Sequence, residues 1–194
     1  STGMANEQEI AEAIEAAQSA GCRNLAILHC VSGYPAPPGD YNLKTISAMR
    51  SRFGLVIGIS DHTLDNTTSI ASVVLGGAII EKHFTLDRTN GGPDDSFSLE
   101  PAEMAALCLD AKTAWSALGH VDYGLKSSEQ TNVQFRRSLY FVKDMQAGDV
   151  IKPDCIRSVR PGYGLPPKNY DSLIGRRVTE NISKNSPVKS KHIK

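Results

Sequence analysis

Leu55-Val56-Ile57-Gly58-Ile59-Ser60-Asp61-His62-Thr63 passes directly from residues that favour burial to residues that carry chemistry. A short unbroken apolar run of this kind reads as a strand covered on both faces, the habit of a parallel sheet. The stretch has two counterparts. Leu25-Ala26-Ile27-Leu28 leads into Cys30-Val31-Ser32-Gly33-Tyr34-Pro35, and Ala78-Ile79-Ile80 leads into Glu81-Lys82-His83-Phe84. Helical phasing fills the gaps: Leu43, Ile46 and Met49 within residues 41–53, and a further helix over 66–75. Residues 6–20 are predicted helical, with Asn6 as cap, Glu9 completing a capping box, and Ile10, Ala13, Ile14 and Ala17 on one face before Gly21. Ser98 is the expected cap of a last helix that reaches Leu118 and stops at Gly119.

This alternation is the signature of βαβ units. Three strands make a small sheet, and a closed eight-stranded barrel takes about 250 residues. Residues 1–119 are therefore expected to form the C-terminal half of a (β/α)8 TIM barrel in an α/β chain. Ser1-Thr2-Gly3-Met4 reads as the end of a strand that begins before the chain does.

Residues 120–134, centred on Lys126-Ser127-Ser128-Glu129-Gln130-Thr131-Asn132, read as a linker. From 135 to 194 the pattern changes to short β-like runs (Leu139–Val142, Val150–Ile151, Ile156–Val159) punctuated by Ala147-Gly148-Asp149 and Pro161-Gly162-Tyr163-Gly164. Gly148–Lys152 and Asn185–Lys189 echo each other, which suggests two similar β elements in a small, mostly β domain. Charge divides at the same place. The whole chain balances 21 basic against 21 acidic side chains, but residues 1–134 hold 8 basic and 16 acidic, and 135–194 hold 13 and 5. Overall neutrality leaves no general case for nucleic acid or membrane partners. Four cysteines (Cys22, Cys30, Cys108, Cys155) are scattered singly, so a disulfide framework or zinc ribbon is not expected and a reducing cytoplasm is the default. The first residues do not read as a signal peptide, and no apolar run of membrane-spanning length occurs.

In a parallel α/β barrel the chemistry collects at the C-terminal strand ends. His62 and His83 sit at equivalent ends of neighbouring strands. Spacing alone leaves two readings: hydrogen-bonded structural histidines, or two imidazole ligands of one divalent ion such as Mn2+, with Fe, Co or Zn as alternatives. Ser32 and Ser60 are candidates for phosphate or carboxylate oxygens, or simply turn caps. Asp94, in the loop Gly91-Gly92-Pro93-Asp94-Asp95, is a candidate base or acceptor of sugar hydroxyls. No role follows for His29, His120 or His192. Walker loops, Gly-x-Gly-x-x-Gly, Gly-x-Ser-x-Gly and His-Glu-x-x-His are all missing.

Taken together, Ser1-Thr2-Gly3-Met4, Cys30–Pro35, Ser60-Asp61-His62-Thr63, Glu81–Thr85 and Gly92-Pro93-Asp94 resemble the sialic acid synthase family of phosphoenolpyruvate-dependent synthases of nine-carbon sugar acids. Arg160-Pro161-Gly162-Tyr163-Gly164 resembles its antifreeze-like (SAF) domain. The resemblance implies a condensation of phosphoenolpyruvate with the open aldehyde form of an N-acetylated amino sugar, water adding at C2 and phosphate leaving by C–O cleavage. It implies His62 and His83 as ligands of Mn2+ (Mg2+ or Co2+ as alternatives), with His62, His83 and Asp94 as the catalytic set. Ser1, Ser32 and Ser60 would contact phosphoenolpyruvate, Tyr34 and Asp94 the sugar, and Arg160 an N-acetyl group in the partner of a swapped homodimer. The motifs Phe135–Tyr140, Ser158–Leu165 and Ser32-x-Tyr34-Pro35 look most like the pseudaminic acid branch, whose sugar is 2,4-diacetamido-2,4,6-trideoxy-L-altrose. N-acetylneuraminate or legionaminic acid synthesis from an N-acetylmannosamine-type sugar is the alternative. The family's first barrel half, with phosphate-gripping lysines and an acid near the metal, is not in these 194 residues, so poor catalysis by this chain alone is expected. Two rivals remain: a non-catalytic carbohydrate-binding SAF module on an inert scaffold, and a metal-dependent aldolase that releases no phosphate.

Overall fold

The computed structural model describes residues 1–194, which divide into two compact units, Ser1–Val121 and Asp122–Lys194. The first opens with α1 (Glu7–Ser19), whose Asn6 side chain accepts from Glu9 N–H while the Glu9 carboxylate accepts from Asn6 N–H. Three strands follow, β1 (Ala26–Cys30), β2 (Val56–Asp61) and β3 (Ile80–Lys82), in one parallel sheet of order β1-β2-β3. They alternate with α2 (Lys44–Phe53) and α3 (Thr67–Val74), and α4 (Pro101–Leu118) packs beside α3. Ile27, Ile46, Met49, Ile57 and Ile59 form the core between sheet and helices, and Tyr41 is closed in with them.

Backbone pairing extends past the strands on both sides. Thr2 N–H donates to Leu28 O at 2.9 Å alongside β1. Leu99 N–H donates to His83 O and Thr85 N–H to Leu99 O, both at 2.9 Å, so Leu99 runs parallel to the end of β3. A side chain on Gly3 would lie 2.0 Å from Ser32 Oγ, so a larger residue there would turn Ser32 out of its place at the end of β1.

Several boundaries depart from the sequence reading: β1 is shifted to Ala26–Cys30, and α2 begins at Lys44 after a 3-10 turn that ends at Tyr41. β3 lies two residues further along than its apolar run, because pairing with β2 continues into Glu81 and Lys82. The last helix is capped by Glu100 rather than Ser98. Pro101, with its fixed φ and absent N–H, occupies the first turn, and Glu103 closes a capping box. Ser98 is buried and its hydroxyl donates to Asp94 O at 2.7 Å, holding the loop instead.

In the second unit, nine residues of 3-10 helix (Ser127–Phe135) precede β4 (Ser138–Phe141), which pairs antiparallel with β5 (Ile156–Val159). A one-turn α5 (Tyr170–Leu173) follows. The echoing segments take part in single bridges, Val150 with Arg177 and Tyr140 with Pro187. Leu139, Phe141, Ile151, Val178 and Val188 fill a core of their own. A full eight-stranded barrel is not contained in the chain: the architecture is an α/β unit on a three-stranded parallel sheet, then a small mostly β unit. No helix is long and apolar enough to cross a membrane.

His192 is buried in this second core, its Nδ1 accepting from Lys189 N–H at 3.2 Å. Burial pushes its pKa below 6.5, helped by Lys191 and Lys189 and opposed by Glu180, whose carboxylate lies 3.4 Å from Nε2. A depressed folded pKa means the neutral ring contributes stability that is lost as pH falls. The denaturation midpoint of the second unit should therefore drop between pH 7.5 and 5, and the drop should shrink in His192→Gln. An equal drop in both proteins contradicts the assignment.

Candidate functional site

The register between β2 and β3 builds the site. Ser60 lies opposite Glu81 and Asp61 opposite Lys82, so His62 and His83 stand at the next level on the side shared with Ser60 and Glu81. The imidazole centroids are 5.2 Å apart. Ser60, His62, Glu81, Lys82 and His83 line a cleft of about 260 Å³. Tyr34, from the loop after β1, lays its ring 4.2 Å from that of His62 and 5.7 Å from that of His83. Phe97 backs both Tyr34 (5.9 Å) and His83 (5.1 Å), giving the cleft an aromatic wall. Asp94 reaches in from its loop, Oδ2 lying 3.4 Å from His83 Nδ1.

His62 is only 6% exposed and is fixed from several sides. Its Nδ1 is 2.8 Å from Val31 O, and since a carbonyl can only accept, that nitrogen carries a proton, which in the neutral ring leaves the Nε2 lone pair free. Its N–H donates to Tyr41 Oη at 2.7 Å, and its carbonyl accepts from Ala36 N–H at 3.0 Å. Tyr41 is fully buried, and its hydroxyl in turn donates to Ser60 O at 3.1 Å. Burial pushes the Tyr41 hydroxyl to about 12, with the His62 N–H bond pulling the other way, so the phenol stays protonated and serves as a fixed two-way linker.

The donor chemistry fits a divalent cation. Both Nε2 atoms are free of hydrogen bonds within the chain, while each Nδ1 faces an oxygen that orients its ring. With ions bound at roughly 2.1 Å, two cis imidazoles place their centroids about 4.7–5.4 Å apart, which brackets the observed separation. No third His, Cys, Asp or Glu of the chain joins them around one point.

Of the residues singled out from sequence, His62, His83, Asp94, Tyr34 and Ser60 converge. Ser32 is exposed beside Gly3 at the end of β1, and Ser1 is exposed two residues earlier. Arg160 belongs to the second unit, exposed just after β5. Ser60 Oγ donates to Glu81 Oε1 at 2.7 Å, so the hydroxyl must rotate away from Glu81 to donate to a ligand. Sequence reasoning missed Glu81, Tyr41 and Phe97. Glu81 was within reach, since period two puts it on the same face as His83. Tyr41 and Phe97 arrive through 3-10 turns (Pro38–Tyr41 and Asp95–Phe97) whose destinations no local pattern reveals.

A parallel-sheet unit with paired histidines at its strand ends, followed by a small β unit, defines a class of two-domain α/β proteins. The chain belongs to the NeuB family, whose model matches residues 1–123, and residues 136–194 match the SAF domain. It is 37% identical over 97% of its length to N,N'-diacetyllegionaminic acid synthase of Campylobacter jejuni, covering 58% of that protein. Its identity to pseudaminic acid synthase of Campylobacter jejuni is 36% over 94% of its length, covering 53% of that protein. The crystal structure of spore coat polysaccharide biosynthesis protein spsE from Bacillus subtilis aligns with 99% of the chain and 59% of that protein, at 29% identity and a TM-score of 0.57. The chain thus spans little more than half the length of these relatives.

The Tyr41 linker yields a direct expectation. Tyr41→Phe keeps the ring but leaves Ser60 O and His62 N–H buried without partners, which should cost about 1–3 kcal/mol in denaturant unfolding of the first unit. A neutral substitution would show that the hydroxyl does not hold the strand end.

Proposed function

We propose that this chain supplies the metal-binding strand ends and the SAF domain of a phosphoenolpyruvate-dependent nonulosonic acid synthase. The observation that carries the reading is the histidine pair: two imidazoles from neighbouring strand ends, each with an unbonded Nε2, facing one cleft with Asp94 and Tyr34. Membership of the NeuB family, and relatives named as legionaminic and pseudaminic acid synthases, supports it.

In this reading His62 and His83 hold Mn2+, with Mg2+ or Co2+ as alternatives. When bound, the ion supplies Lewis acidity at the aldehyde oxygen of the sugar. The chain's own residues do the rest. Tyr34 and Phe97 offer an apolar wall against C–H faces of the sugar, and Asp94 and Glu81 accept its hydroxyl or amide protons. Ser60, turned from Glu81, donates to an oxygen of phosphoenolpyruvate, alongside Ser1 and Ser32. C3 of phosphoenolpyruvate bonds to the aldehyde carbon, a water adds at C2, and inorganic phosphate leaves with cleavage of the C–O bond. Arg160 of the SAF domain is assigned to an N-acetyl group of substrate held by a second copy of the chain, in a swapped homodimer.

The preferred sugar is 2,4-diacetamido-2,4,6-trideoxy-L-altrose, making the product pseudaminic acid. Near-equal identity to the legionaminic acid synthase keeps the N-acetylmannosamine-type series as a second reading. The remaining half of the barrel belongs to the catalytic unit in this proposal.

Phosphate release decides between the readings. A full-length protein should release phosphate from phosphoenolpyruvate with the altrose sugar faster than with N-acetylmannosamine. EDTA should abolish the release, and His83→Ala should lower it by at least about a hundredfold. This 194-residue chain alone should be far less active. Aldol product without phosphate would support an aldolase, and sugar binding indifferent to EDTA and to His62→Ala would support a binding module.

A further inference from the structure

Asp61 and Lys82 alternate with Ser60 and Glu81 in the register and so lie on the other face of the sheet, and although Lys82 also borders the cleft, the proposed function gives neither residue a task. We propose that their buried ion pair is a pin that fixes the spacing of His62 and His83, making Lys82 and Asp61 positioning residues of the metal site. The inference rests on the two-histidine reading.

The side chains of Lys82 and Asp61 are 2% and 0% exposed. Lys82 Nζ donates to Asp61 Oδ2 at 3.1 Å and to the carbonyls of Thr63 and Asp65, each at 2.7 Å, so all three ammonium protons are used. Asp61 Oδ1 accepts from Thr63 N–H at 2.8 Å, and Oδ2 also accepts from the Ser69 hydroxyl of α3. The chain is therefore held immediately before His62 by Asp61 and immediately after it by Thr63. Lys82 is the residue before His83, and His83 O is tied to Leu99 N–H. One ammonium group thus links the backbone around one histidine to the strand that carries the other.

The energetics favour a positioning role over a stabilising one. Burying two charges is costly enough that a well-packed apolar pair often matches or exceeds the stability of an ion pair. No apolar side chain can donate to the two loop carbonyls that Lys82 gathers. Removing the pair should therefore leave a folded protein in which the loop after β2 drifts and the imidazoles lose their common focus.

The test uses the full-length protein and Mn2+ alone, without substrate, titrated by the electron paramagnetic resonance signal of free Mn2+. The double variant Asp61→Asn/Lys82→Met removes both charges and keeps an acceptor for Thr63 N–H. It should retain native circular dichroism and cooperative unfolding while its Mn2+ dissociation constant rises at least about tenfold, the scale of lost outer-sphere support. The d–d absorption of the Co2+-loaded variant should change alongside. A folded double variant with wild-type Mn2+ affinity and Co2+ spectrum overturns the pin. If the double variant does not fold, Lys82→Arg replaces it. A planar guanidinium cannot reproduce the three bonds of Lys82, so unchanged affinity and spectrum in folded Lys82→Arg also overturn the proposal. His62→Ala and His83→Ala separate the two levels. Loss of Mn2+ affinity in both, with none in the pin variants, refutes the pin and leaves the site reading intact. Unchanged affinity in the histidine variants sinks the site reading and the pin together.

Discussion

The parallel register between β2 and β3 is the constraint from which the site follows. Pairing Ser60 with Glu81 and Asp61 with Lys82 leaves no freedom about what comes next: His62 and His83 must stand side by side. A slip of one residue in either strand would turn that strand's side chains over, putting His62 and His83 on opposite faces and separating Asp61 from Lys82. Ser60 and Glu81 join across one face and Asp61 and Lys82 across the other, so side-chain bonds hold the register from both sides of the sheet. Losing one partner of the buried pair would strand a charge, at a cost of about 3–5 kcal/mol.

Around this pair the chain spends its polar groups on rigidity. Tyr41 ties the end of β2 to the turn before α2, Val31 sets the tautomer of His62, and Ser98 holds the loop that brings Asp94 to His83. Each bond comes from a different connection, so the cleft is assembled from loops on a stiff sheet. That division of labour is general for α/β enzymes, where strand ends are fixed and loops carry specificity.

Much of this was legible in the sequence, for physical reasons. β1 and β2 are short apolar runs that do form parallel strands, β2 buried from Ile57 onward and β1 only in part, and α1 announces itself through a capping box that the structure forms atom for atom. The polar strand ends pointed to the place where His62, His83 and Tyr34 come together. What escaped was polarity hidden inside the fold. Glu81 and Lys82 extend β3 beyond its apolar run because their side chains pair with Ser60 and Asp61, partners that hydrophobic pattern cannot name. Ser98 looked like a cap, yet Pro101 fits the first helical turn better and leaves the serine to another task. Tyr41 carried no signal at all: only the turn after β1 reveals that its hydroxyl ends beneath His62.

The central claim is that two imidazoles from adjacent strand ends share one cation. Anomalous diffraction at the manganese edge, from crystals of the protein soaked in Mn2+ alone, tests it most directly. The account requires one peak within about 2.0–2.4 Å of Nε2 of both His62 and His83, the range of metal–imidazole bonds. A peak at one ring only, or one located away from both while they stay hydrogen-bonded to protein, would contradict it.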